Sequence, residues 1–232
     1  MASAIPRLEV GFAPVFPVST RYESPRILRI DRYRLKPGTE VAVRNLQKQV
    51  ALAMVRWGAL HACLAAESLT GPKEVWRLSG FSSSAEQKRV AESLENNALL
   101  RIELNRIDLQ IRVLTGSPAT VMAHYVEGPS RGHTWLMGRG HHLVIAASSG
   151  PTRSQGTLFQ TSTGVRYSVA SVRTRKNAFE LAEAAGPEAN VFAIRPMWGM
   201  PAPEWTRHDP DFWNSSPMAK RAEMNTSLLR LR

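Results

Sequence analysis

A single cysteine, Cys63, serves the whole chain, so no internal disulfide can form and nothing signals an oxidising compartment. Cys63 stands in an apolar run, where a buried inert thiol is the expected state. No stretch approaches the roughly 18 consecutive apolar residues of a membrane span. The apolar N-terminus, "MASAIPRLEVGFAPVFPVST", is broken by Pro6, Pro14, Pro17 and Glu9, and no clean small-residue cleavage site follows. It is read as an extended arm over residues 1–25 rather than a signal peptide, and a cytoplasmic location is expected.

Acidic residues are in short supply, 19 against 30 lysines and arginines, and the net charge is +11. Residues 1–116 hold 17 bases and 11 acids, and residues 117–232 hold 13 and 8, so the excess is spread rather than blocked. No zinc-finger spacing, aromatic RNA-binding motif or basic zipper accompanies it. Specific nucleic-acid binding is therefore not expected, and attraction to acidic surfaces should weaken with salt. Catalytic signatures are missing too. There is no G-x-S-x-G, no P-loop and no dinucleotide fingerprint; "GRGHH" at 138–142 has neither the glycine spacing nor the helix.

What is present is a chain with 43% hydrophobic and 21% charged residues, enough for a core and against wholesale disorder. "RILRIDRYRLKPG" (26–38) alternates as a strand and stops at Pro37-Gly38. Residues 39–57 repeat Val43, Leu46, Val50, Met54 and Trp57 at three- and four-residue steps, which predicts a helix with Thr39 at its start and Gly58 at its end. "LHACLAAES" (60–68) and "EVWRLSGF" (74–81) read as a hairpin joined through Gly71-Pro72. Helical periodicity resumes over about 84–113, with Val90, Leu94, Ala98, Ile102 and Leu109 on the apolar face and a break expected at "ENN" (95–97). "ATVMAHYV" (119–126) completes a β-α-β-β-α-β order, the split ferredoxin-like unit.

The order then repeats with one omission. Strands are expected at 141–148, 157–162, 165–172 and 190–196, and a helix at 175–186. The roughly eight residues between the first two strands are too few for a crossover helix. The expected fold is α+β: two ferredoxin-like modules, 26–128 and 129–196, the second without its first helix. A Pro- and Trp-rich tail, 197–232, follows, and its Trp198, Trp205, Phe212 and Trp213 should anchor an extended segment to the body.

The strand ending "LKPG", the hairpin "ESLTGPKEVWRLSGFSS", the helix "ENNALLRIEL", the strand "VMAHYVEG" and the closing "EANVFAIRPMWGMPAPEWTRHDPDFW" resemble a NIPSNAP-like tandem protein. That family belongs to the dimeric α+β barrel superfamily, which includes the antibiotic-biosynthesis monooxygenases. The resemblance covers roughly 26–128 and 186–213; residues 130–185 depart from the pattern. It implies two sheets packed face to face as a barrel, with pairing of chains into a homo-oligomer, a dimer, as the expected assembly. The superfamily hosts haem enzymes, cofactor-free monooxygenases and proteins with no known reaction, and fold alone does not choose among them.

Haem binders of the superfamily place an axial histidine in the second helical region, and residues 84–113 contain none. No haem or other cofactor is expected. For metal, His133, His141 and His142 gather in a Gly-rich link without nearby Asp, Glu or Cys at ligand spacing, and adjacent strand residues face opposite ways. No metal site is expected. Cofactor-independent oxygenation of an electron-rich aromatic substrate needs an apolar pocket and a few polar groups. The candidates are His61 or His124 as base, Trp76 as pocket wall, and Asn97 or Tyr125 as oxyanion holder; each is more often structural. The leading expectation is thus a NIPSNAP-like barrel protein that binds a small apolar ligand or a partner chain, with the monooxygenase-type enzyme as the alternative.

Overall fold

The computed structural model describes residues 25–59, 61–127, 129–130, 134–150 and 156–218. The expected N-terminal arm, His133 and the basic C-terminus from residue 219 lie outside the described residues. The chain runs β1 (Ile27–Arg34), α1 (Glu40–Arg56), β2 (Cys63–Ser68), β3 (Glu74–Phe81), α2 (Ser84–Asn96), α3 (Ala98–Thr115), β4 (Ala119–Tyr125), β5 (His142–Ser148), β6 (Thr157–Thr161), β7 (Arg166–Val172), α4 (Arg175–Ala185) and β8 (Ala189–Ile194). Two short helices, α5 (Pro203–His208) and α6 (Pro210–Trp213), follow. The architecture is α+β, and no helix among the described residues is long and apolar enough to cross a membrane.

The eight strands close into an antiparallel barrel in the order β1-β3-β2-β8-β5-β7-β6-β4. The first four strands lie side by side as 4-1-3-2, and the last four repeat that order as 8-5-7-6. Two seams join the halves, Ala66 opposite Ile194 and Ala123 opposite Thr161. Closure removes the exposed strand edges that an open sheet would present. The link between β5 and β6, residues 149–156, includes 151–155, which are outside the described residues.

Strand alternation sorts the side chains. Leu28, Ile30, Trp76 and Leu78 point into the barrel and meet Phe159 and Phe192 from the other half. Trp76 packs against Phe192 at 4.9 Å between ring centroids and edge-on to Tyr167 at 6.3 Å. The intervening residues of β1 and β3 face outward, where α1, α2 and α3 cover them. Across the barrel, α4 covers Val144 and Val191 through Ala178 and Ala182.

Two expectations are corrected. The apolar periodicity read straight through 84–113 put Ile102 and Leu109 on the buried face, yet both are 65% exposed. The helix breaks at Asn97, whose side chain accepts from the Leu100 N–H and starts α3 afresh, so Leu100, Ile107 and Ile111 are the buried positions instead. Over its described residues, 197–218, the tail is not extended. Pro203 and Pro210 each open a helical turn, as proline does where its missing N–H costs nothing. Its aromatics do anchor it: Trp198, Trp205 and Trp213 are buried, the last two in the same cluster as the barrel interior.

The tail is also held by charge. The Asp209 carboxylate accepts from Arg173 at 2.9 Å, pairs with His141 Nε2 at 2.9 Å, and caps the Phe212 N–H. The His141 ring stacks on Phe212 at 4.0 Å. Burial alone would raise the Asp209 pKa; the bonds from His141, Arg173 and the Phe212 amide outweigh it and hold the acid at about 2.

Candidate functional site

The outer face of β1 and β3 is polar where a helix-covered face is ordinarily apolar. Register places Arg29 opposite Ser79, Asp31 opposite Arg77 and Tyr33 opposite Val75. Over this floor α1, α2 and α3 form a vault from Val50 and Met54, Val90 and Leu94, and Leu104 and Ile111. Floor and vault do not touch throughout. They enclose a half-open cleft of about 380 Å³, into which His61, Cys63, Asp108, Arg112 and Thr120 also open. That volume falls in the range of small-molecule sites, as does the pairing of apolar walls with a few convergent polar groups.

Asp31 is only 6% exposed, and its Oδ1 accepts from Thr120 Oγ1 at 2.7 Å and from Arg29 Nε at 3.1 Å. Arg112 Nε donates to Asp108 at 2.6 Å. Arg77 donates to Gln47 Oε1 at 2.9 Å and to the Trp198 carbonyl at 3.4 Å. Burial raises the Tyr33 pKa despite the nearby Arg77 charge, so the phenol is neutral.

His61 stacks flat on Phe81 at 4.6 Å, and its Nε2 is buried with no hydrogen-bond partner among the described residues. Burial depresses its pKa to about 4, against the opposing effects of Glu86 and of a hydrogen bond to the Gly80 backbone. The imidazole is therefore neutral near pH 7. Its Nε2 is thus a buried polar atom open to a ligand.

The five residues singled out from the sequence do not form one cluster. His61 lines the cleft. Trp76 lies inside the barrel, its Nε1–H donating to Glu74 at 2.6 Å and its ring covered by the Arg32 guanidinium. Tyr125 is also on the inner side, edge-on to Phe159. Six positions along β1 separate it from Trp76, about 20 Å at the usual strand rise. His124, next to Tyr125, faces outward and is exposed. Asn97 is occupied as the cap of α3, and its Nδ2 donates to the Trp57 carbonyl at 3.2 Å. Sequence reading missed Asp31, Tyr33, Arg77 and Asp108. A usable signal existed: alternation places Arg29, Asp31 and Tyr33 on one face of β1, opposite Arg77 and Ser79 of β3, and that face has to meet the helices.

Among the described residues no three His, Cys, Asp or Glu side chains converge to hold a metal ion. Cys63 is buried beside the cleft, 4% exposed.

No family model and no curated protein matches the sequence. Among solved structures, the chain is similar to a NIPSNAP family protein of Agrobacterium tumefaciens, at 15% identity and a TM-score of 0.37, over 46% of this chain and 91% of that one. It is similar to a candidate monooxygenase of Fusobacterium nucleatum at 8% identity and TM-score 0.45, over 75% and 93%. It is similar to another from Lactobacillus acidophilus at 6% identity and TM-score 0.40, over 75% and 94%. These are the two kinds of protein that the sequence resemblance named.

Proposed function

We propose that this chain is a NIPSNAP-like α+β barrel protein that binds a small, largely apolar ligand in the cleft between the outer sheet face and α1, α2 and α3. One observation carries the reading. A cleft of about 380 Å³ is roofed by aliphatic side chains, while the buried His61 Nε2 and Arg77 Nε beneath them have no partner among the described residues. Unpaired buried polar atoms are costly, and a ligand that supplies their partners recovers that cost.

In this reading the chain consists of two ferredoxin-like modules, 26–128 and 129–196, with an N-terminal arm at 1–25 and a tail at 197–232. The repeated 4-1-3-2 strand order supports it, and the second module lacks the first helix. Chains pair into a dimer. Leu99, Ile102, Leu109 and Val113, 56–70% exposed along one face of α3, are the apolar surface that favours pairing.

Native mass spectrometry of the purified protein tests ligand and stoichiometry together. The expected result is a dimer carrying a small organic molecule that Leu104→Trp, which fills the cleft, no longer retains. A monomer at all dilutions would end the dimer. An empty protein whose His61 resonances respond to no apolar probe, 1-octanol included, would end the ligand reading.

The second reading is a cofactor-independent monooxygenase acting on an electron-rich aromatic substrate. The free Nε2 of a neutral His61 favours it, because that nitrogen can take a proton from a bound hydroxyl. Against it, Trp76 and His61 line different spaces. Oxygen uptake by the purified protein with phenolic substrates, lost in His61→Phe, would establish it.

A further inference from the structure

The charges around the cleft are not matched by contact. Asp31 is engaged by Arg29 and Thr120, and Asp108 by Arg112. Among the described residues Arg77 meets only neutral acceptors, the Gln47 side-chain oxygen and the Trp198 carbonyl. Its Nε is buried with no acceptor, and so is the donor Nε2 of Gln47 beside it. Asp31 stands directly across the strand pair from Arg77, yet no ion pair joins them. Tyr33 does not supply the missing anion, because burial keeps its phenol neutral. His61, neutral as well, adds no competing charge.

Arg77 is half-buried, and leaving its buried Nε–H without an acceptor is costly. Its planar fork matches a carboxylate in shape and charge better than any other common group. The vault above offers aliphatic surface from Val50, Met54, Val90, Leu94, Leu104 and Ile111, with Asn105 and the mutually paired Asp108 and Arg112 of α3 beside it. Arg77 asks for an anion, the aliphatic part of the vault asks for hydrocarbon, and the remaining charges, Arg29 with Asp31 and Arg112 with Asp108, answer one another.

We propose that the ligand of this cleft is an amphiphilic monocarboxylate, its carboxylate paired with Arg77 and its apolar body held beneath α1, α2 and α3. The proposal rests on the cleft being the binding site, and it adds the charge and polarity of the occupant.

Octanoate and 1-octanol, equal in chain length and different in charge, are the probes. Binding to the intact protein is followed by calorimetry and by the His61 ring resonances. Octanoate is expected to bind at least about tenfold more tightly than 1-octanol, the worth of one charge-assisted hydrogen bond. Arg77→Met should abolish that preference while 1-octanol still binds, and Arg77→Lys should keep part of it. Should Arg77→Met fail to fold, loss of most of the preference in Arg77→Lys carries the same meaning, since lysine cannot reproduce the fork. Equal binding of the two probes to the native protein would overturn the carboxylate and leave the cleft as an apolar site. A preference that survives Arg77→Met would place the anion elsewhere and overturn the assignment. If neither probe binds or moves His61, the cleft reading falls together with the proposal.

Discussion

Trp213 and Gly138 are joined across 75 residues of sequence: the indole Nε1–H of Trp213 donates to the Gly138 carbonyl at 3.1 Å. The same glycine lies against Trp205. A methyl group at Gly138 would fall 2.0 Å from Cδ2 of that ring. The two tryptophans stack at 5.8 Å and belong to the barrel-interior cluster, so the tail is part of the core rather than an appendage. Gly138→Ala is therefore expected to cost roughly 3 kcal/mol or more, because the ring it strikes is packed on its other side. The urea midpoint measures this. An unchanged midpoint would mean that Trp205 can swing aside, and that the tail is not seated as described.

Asn97 separates a structural role from a chemical one. Its Oδ1 caps α3, and its Nδ2 ties the α2–α3 junction to the end of α1 through Trp57. Asn97→Ala should lower stability by about 1–2 kcal/mol, the usual worth of an N-cap. Asn97→Asp keeps the acceptor and should recover most of that loss. Thermal unfolding of the two variants decides the matter. Equal losses in both would assign the stability to the Trp57 contact instead of the cap.

This residue also shows how far sequence alone reaches. The strand at 74–81 is read to the residue, because alternation and a Gly-Pro turn mark both its ends. The break at 95–97 is legible from its asparagines. The rotation of the apolar face beyond it is not, since a cap restarts the helical phase at an angle that periodicity does not encode. The cleft is hidden for a related reason. Arg77 looks like any solvated arginine of an alternating strand until the register puts it across from Asp31 and under three helices. His61 was legible as a candidate only by residue type; its burial and its stack on Phe81 come from the packing.

Glu67 tests the seam between the halves. Its carboxylate, 6% exposed, accepts from Arg44 of α1 through Oε1 and from Arg195, just beyond β8, through Oε2. Burial acts to raise its pKa, and the two arginines more than reverse this, so the net shift is downward. The folded state thus gains stability from the ionised acid above the unfolded value, and loses it as the pH falls through the folded one. Glu67→Gln should cost about 2 kcal/mol at pH 7, tempered because both arginines keep contact with water. The cost should shrink on acidification. A constant difference between native and variant from pH 7 to pH 3 would show that the charge contributes nothing.

His61 also costs stability on acidification, through exclusion of a charge rather than loss of one, and in a higher window. Its pKa falls from an ordinary 6.5 to about 4 in the folded chain, chiefly through burial. Between these values the unfolded chain binds a proton that the folded chain refuses, so stability declines as the pH drops from about 6.5 to about 4 and levels off below. The decline attributable to this residue is at most about 3 kcal/mol. His61→Phe preserves a flat ring against Phe81 and removes the titration. The variant should match or exceed the native stability at pH 4.5 while differing less at pH 7.5, as read from denaturant midpoints at both values. Carboxylates titrate in both proteins and cancel in the difference. If the two pH profiles run parallel, the imidazole is reached by water in the folded state. The lone pair at Nε2 would then be hydrated rather than waiting for a ligand.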